Sequence, residues 1–162
     1  MRFVKSQVEL FMFCFLHNYD ILKSMRRKNS DLSNPGQIII PAGHPNPPEQ
    51  HEIDTAEILA LHYSTAVEFL KPVVDYKRKS ADIRMLGVEW ELKSPTGASK
   101  STIQSQFQRA SKQAKNIIID SRRTSLKDDV VEKRVQQELK NRPYMKKAII
   151  INKSKIVIEI QS

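Results

Sequence analysis

At 162 residues and 40% hydrophobic, the chain holds enough apolar mass for one domain with a real core plus an appendage, and too little for two full domains. Its 27 Lys and Arg against 18 Asp and Glu leave a formal net charge of +9, which attracts polyanions without saying which. The single cysteine, Cys14, excludes an intrachain disulfide and a cysteine-built zinc site; His17, His44, His51 and His62 lack zinc-binding spacing; and the apolar run from Leu10 to Leu16 is too short to span a bilayer, so the sequence reads as a soluble domain with no membrane span.

In chain order, Val4, Val8, Phe11, Phe15 and Leu22 recur mostly at helical steps and predict an amphipathic helix from Val4 to Met25. The basic cluster Arg26-Arg27-Lys28 and the turn formers from Asn29 to Gly36 follow, so residues 1–36 read as an N-terminal helix and linker and residues 37–162 as the main domain. Ile38 to Ile40 predicts a short strand before PAGHPNPP, whose four prolines in eight residues forbid a regular element. A helix is expected from Glu49 to Leu70, with Ile53, Ala56, Leu59, Ala60, Tyr63, Val67 and Leu70 on one stripe and Glu52 at its edge, facing the sheet. Pro72 ends it, and Val73 to Tyr76 predicts a strand.

The run ADIRMLGVEWELK then predicts a hairpin turning at Leu86-Gly87, with Ile83 across from Trp90, Arg84 from Glu89, Met85 from Val88, and Asp82 from Glu91. Strand alternation puts Ile83, Met85, Val88, Trp90 and Leu92 on one apolar face and Asp82, Arg84, Glu89, Glu91 and Lys93 on a charged one. Carboxylates facing each other at roughly 5 Å repel unless a positive charge sits between them. A divalent ion, Mg²⁺ above all, fits such a gap, because it accepts two carboxylates and fills its remaining positions with water and phosphate. The alternative is a solvated cross-strand ion pair, with Lys93 its ammonium partner. Trp90, on the apolar face, is expected in the core rather than as a stacking platform.

Past the loop SPTGASK, a helix is expected from Lys100 to Lys115, burying Ile103, Phe107, Ala110 and Ala114 and presenting Gln106, Arg109, Lys112, Gln113 and Lys115. Ile117 to Ile119 predicts a strand covered on both faces, Lys127 to Asn141 a further helix, and Ala148 to Ile151 with Ile156 to Ile160 a closing hairpin. The predicted class is α/β, a mixed central sheet flanked by helices. Between Tyr76 and Arg123 there are 11 Lys and Arg against 4 Asp and Glu, which concentrates positive charge around the hairpin, as in a nucleic-acid binder.

Asp, several residues, then Glu-x-Lys is the pattern of the PD-(D/E)XK nuclease superfamily, which this hairpin resembles; the element order matches its restriction-endonuclease-like α-β-β-β-α-β core if residues 73–76 form the first strand. From Ile40 to Asp120, the strings PPEQHE, ADIRMLGVEWELKSPTG and IQSQFQRASKQAKNIIID resemble the tRNA nuclease domain at the C-terminus of CdiA-type contact-dependent growth inhibition toxins. That resemblance implies metal-dependent cleavage of tRNA, with Asp82 and Glu91 holding the metal, Glu52 as an additional acid, Lys93 as the motif lysine, and Lys100, Arg109, Lys112 and Gln113 on the substrate side. It also implies a delivered toxin acting in the target-cell cytoplasm, normally the tail of a larger protein, and a cognate immunity protein. Three rivals stand beside it: a deoxyribonuclease of the same fold, a metal-free ribonuclease using His44 and His51 with the RNA 2′-hydroxyl, and a non-catalytic basic RNA-binding module. Glu57 competes with Glu52, and Glu52 has its own alternative as a first-turn acid favoured by the helix dipole.

Overall fold

The computed structural model describes residues 36–72, 80–99 and 101–161. The helix expected over residues 4–25, the linker up to residue 35, the strand expected over 73–76, and Lys100 lie outside the described residues. The described elements are β1 (Ile38–Ile39), α1 (Gln50–Tyr63), β2 (Val67–Phe69), β3 (Ile83–Met85), β4 (Val88–Lys93), α2 (Thr102–Ala110), β5 (Asn116–Asp120), α3 (Asp128–Lys140), β6 (Lys147–Ile151) and β7 (Val157–Gln161), with a 3₁₀ turn at Ser121–Arg123.

The seven strands form one mixed sheet in the order of the chain. Helical crossovers join the parallel pairs β1/β2, β4/β5 and β5/β6, and the remaining neighbours run antiparallel. The hairpin has the expected register, Ile83 to Trp90, Arg84 to Glu89 and Met85 to Val88. Leu86 and Gly87 both take positive φ, 53° and 71°, the two-residue turn whose twist suits an antiparallel pair.

Alternation then decides which helix covers which face. Trp90, Leu92, Ile83, Met85 and Ile118 meet Ala56, Leu59 and Ala60 of α1 on one side. Ile117 and Ile119 meet Ile103, Phe107 and Ala110 of α2 and Val131, Val135 and Leu139 of α3 on the other. The run Ile117 to Ile119 is accordingly buried on both faces, and each such side chain contributes about 1.5–3 kcal/mol relative to exposure.

Two boundaries differ from expectation. The helix predicted through Leu70 stops at Tyr63, where Ser64 turns left-handed at φ 47° and returns its N–H to the last helical carbonyls. Val67 and Phe69 are therefore buried strand residues, with Glu68 half-buried between them, and β2 occupies the place beside β3. Pairing with two neighbours outweighed a helical spacing that happened to continue. The helix expected to reach Lys115 ends as α2 at Ala110, because β5 begins at Asn116 and the chain must reverse before it. Lys112 and Gln113 thus lie in a hydrogen-bonded turn, their N–H groups donating to the carbonyls of Arg109 and Ala110.

Candidate metal and nucleic-acid site

The centre of β4 lies between β3 and β5, and its alternation sends Glu91 and Lys93 to the face that carries α2 and α3. Asp82 sits one residue before β3. Its N–H donates to the carbonyl of Trp90 at 3.1 Å, and its Oδ2 accepts from the N–H of Leu92 at 2.8 Å, which holds the carboxylate at the mouth of the hairpin opposite Glu91. The Lys93 ammonium pairs closely with Glu91 Oε1 and lies 3.9 Å from Asp82 Oδ2. Gln113, from the turn after α2, also donates to Glu91 Oε1.

Glu91 is fully buried (0% exposed), whereas the side chains of Lys93 and Asp82 are 19% and 37% exposed, so the group opens to solvent on the Asp82 side. Both donors meet Oε1, and Oε2 is buried with no hydrogen-bonding partner. Burial first, and the negative charge of Asp82 second, push the Glu91 carboxyl up to about 7, with the Lys93 ammonium only partly offsetting them. A buried carboxylate oxygen without a donor, next to a second carboxylate, is a place where a cation lowers the energy. Among the described residues no three His, Cys, Asp or Glu side chains cluster as a metal cage. Two carboxylates would suffice only for an ion that completes its shell with water and phosphate oxygens.

The other residues named from the sequence fall as follows. Glu52 belongs to α1, on the opposite face of the sheet, and its Oε2 accepts the N–H of Glu49 at 2.9 Å in a capping box. Glu57 is exposed on the same helix. Arg109 and Lys112 are exposed at the end of α2 and in the turn beyond it, flanking Gln113. His44 Nε2 is 3.0 Å from the carbonyl of Leu70, and His51 lies 3.2 Å from Glu49, so the two imidazoles have separate local partners. Arg84 sits in solvent between Glu68 and Glu89, at 3.2 and 3.1 Å, which is the ordinary ion pair expected of an outer face.

A second polar group went unremarked in the sequence. Asp120, at the end of β5, is fully buried and accepts from the main-chain N–H and guanidinium of Arg122, with Thr55 Oγ1 at 2.6 Å. Burial alone would raise its carboxyl, but the hydrogen bonds from Arg122 and Thr55 outweigh it and hold the group below the usual range. Both oxygens have donors, so this is a clamp between α1 and β5 rather than a ligand site; the signal available was an Asp followed two residues later by Arg at the end of a buried strand. A cleft of about 470 Å³ between α3 and β7, lined by Gln136, Leu139, Lys140, Pro143, Ile160 and Gln161, lies apart from both groups.

Residues 79–157, which include Asp82, Glu91, Lys93 and Gln113, match the family model described as the contact-dependent growth inhibition CdiA C-terminal domain. No curated protein matches the chain. Among solved structures, the chain is similar to one described as the CdiA-CT/CdiI toxin and immunity complex from Burkholderia pseudomallei, with a TM-score of 0.55 and 18% sequence identity over 76% of this chain and 98% of that one. The chain thus has the fold of a CdiA C-terminal toxin and is similar in sequence to that family over a little under half of its length.

Proposed function

We propose that the chain is a growth-inhibiting toxin domain that cleaves RNA phosphodiester bonds, tRNA in particular, with a divalent ion held between Asp82 and Glu91 in a PD-(D/E)XK-type site. The observation that carries this reading is the buried, partnerless Oε2 of Glu91 facing a second carboxylate, with an ammonium alongside. The choice of RNA rests on the resemblance of the sequence to tRNA nuclease domains and on the cationic surroundings of the hairpin.

A bound divalent ion supplies Lewis acidity to a phosphate oxygen and a lowered pKa to its water. The chain does the rest. Gln113 and Lys93 fix one oxygen of Glu91 and leave the other without a donor; the main-chain N–H of Leu92 holds one oxygen of Asp82 in the same way. Lys93 places its positive charge where negative charge grows on the phosphate. Arg109 and Lys112 attract the backbone without reading bases. In this reading Glu52 is left to helix capping. The domain is delivered to a neighbouring cell, and an immunity protein, as in the solved toxin and immunity complex, protects the producer.

One observation favours a second reading, a non-catalytic RNA-binding module: Lys93 already bridges the two acids, as a purely structural ion pair would. Purified protein incubated with total tRNA and with plasmid, in Mg²⁺ and in EDTA, separates the readings. Cutting of tRNA that EDTA stops, and that Asp82→Ala, Glu91→Gln and Lys93→Ala each abolish with unchanged circular dichroism, is the expected result. Cutting that survives EDTA favours the histidine route, cutting of plasmid alone favours a deoxyribonuclease, and binding without cutting favours the module.

A further inference from the structure

Tyr144 is half exposed (50%) in the connection between α3 and β6, the segment NRPYMK. A lone exposed aromatic is unremarkable on a protein surface. Here, however, the chain on either side of it is fixed. Arg142 pairs with Glu138 and lies over the ring of Phe107, 5.9 Å from its centroid. The N–H of Met145 donates to the carbonyl of Arg142 at 2.8 Å, which makes a turn with Pro143 and Tyr144 at its tip, and Met145 itself is buried in the core. The N–H of Lys146 then donates to the carbonyl of Lys115 at 2.7 Å. That bond ties the loop to the turn that carries Lys112 and Gln113, and Gln113 touches Glu91.

The result is a half-exposed aromatic residue at the tip of a turn whose main chain is tied to Lys115; Lys112, Lys115, Lys146 and Lys147 on these two joined segments are exposed, and Gln113, two residues before Lys115, reaches the site. Apolar burial does not explain that placement, and a surface chosen only for solubility needs no ring. Ammonium groups that track phosphates, with a ring on which a base stacks, are what a single-stranded nucleic acid requires. We propose that loop 141–146 is a stacking platform for an unpaired base of the RNA substrate, with Tyr144 against the base and Lys112, Lys115 and Lys147 along the backbone. This rests on the proposed ribonuclease reading for its choice of ligand, and it predicts that the RNA is engaged through an unpaired segment rather than a duplex.

The test is binding of the full chain, in EDTA so that no cleavage occurs, to a fluorescently labelled unstructured RNA oligonucleotide and to an RNA duplex of the same length. Tyr144→Ala is expected to weaken binding of the single strand by roughly tenfold, to leave the duplex unaffected, and to be rescued by Tyr144→Phe, which keeps the ring. Single-strand affinity unchanged in Tyr144→Ala, or loss of equal size on the duplex, overturns the proposal and leaves the cationic loop to a protein partner. If Tyr144-dependent binding is found but tRNA is not cut in Mg²⁺, the platform stands and the nuclease reading falls. If tRNA is cut and Tyr144→Ala binds and cuts as the unchanged chain does, the platform alone falls.

Discussion

Leu86 sits at φ 53° and is 54% exposed, in a turn position that Asn, Asp and Gly fill with less strain. The left-handed conformation costs a β-carbon-bearing residue on the order of 1 kcal/mol, and the exposed leucine gains little in return from packing. Leu86→Asn is expected to stabilise the domain by about 1 kcal/mol, read as a higher urea midpoint, because asparagine tolerates this backbone and the hairpin register does not change. A lower midpoint would mean that the leucine side chain has a contact of its own. The same turn fixes where Asp82 and Glu91 meet, so a residue with no chemistry of its own positions two that have it. Gln113 shows the converse: its chemistry was visible in the sequence, but its contact with Glu91 depends on α2 ending at Ala110 and the chain turning back toward β4.

Thr55 ties α1 to β5: its hydroxyl stands 2.6 Å from Asp120 on β5 and 3.2 Å from the Arg122 guanidinium. Thr55→Val removes the hydroxyl while keeping the shape, and loss of a hydrogen bond to a buried carboxylate costs about 1.5–3 kcal/mol. Chemical denaturation should show that loss, with a normal native circular dichroism spectrum; an unchanged midpoint would show that Arg122 satisfies Asp120 alone. This clamp was illegible in the sequence because its partners are 65 residues apart and each is unremarkable in its own segment. The hairpin was legible because its apolar and its charged residues both alternate with period two around a glycine. The isoleucine run was legible because only a strand covered on both faces keeps three consecutive apolar residues. β2 was not, since Tyr63, Val67 and Leu70 continue the helical steps of α1, and what ends the helix is pairing with β1 and β3, strands distant in sequence. The placement of Glu52 follows from the same alternation: the helix that covers Trp90 and Leu92 lies across the sheet from Glu91 and Lys93.

For the whole molecule, Glu91 and Asp120, the buried carboxyls whose values are shifted in opposite directions, make stability depend on pH in the absence of an ion. Asp120 is held below its ordinary value, so its contribution is present above an unfolded carboxyl value of about 3.9 and is lost as the pH falls through its lowered native one. Glu91 is shifted the other way, from 4.5 to about 7, so its contribution is present below the lower value and is lost as the pH rises through the upper one. The ion-free domain should therefore be most stable near pH 4–5, with stability falling as the pH rises through about 7, on the alkaline side of the range in which most proteins are comfortable. Thermal melts in EDTA between pH 4 and 8.5 read this directly. Two further curves assign the alkaline loss to the site. In Glu91→Gln, which cannot ionise, the fall between pH 5 and 8 should flatten; in the unchanged chain, Mg²⁺ should restore stability above pH 7 and do little at pH 5, where Glu91 is protonated and a cation must compete with the proton. A melting temperature equally indifferent to Mg²⁺ at both pH values would separate the electrostatics of Glu91 from ion binding, and would leave the Lys93 bridge as the whole of its compensation.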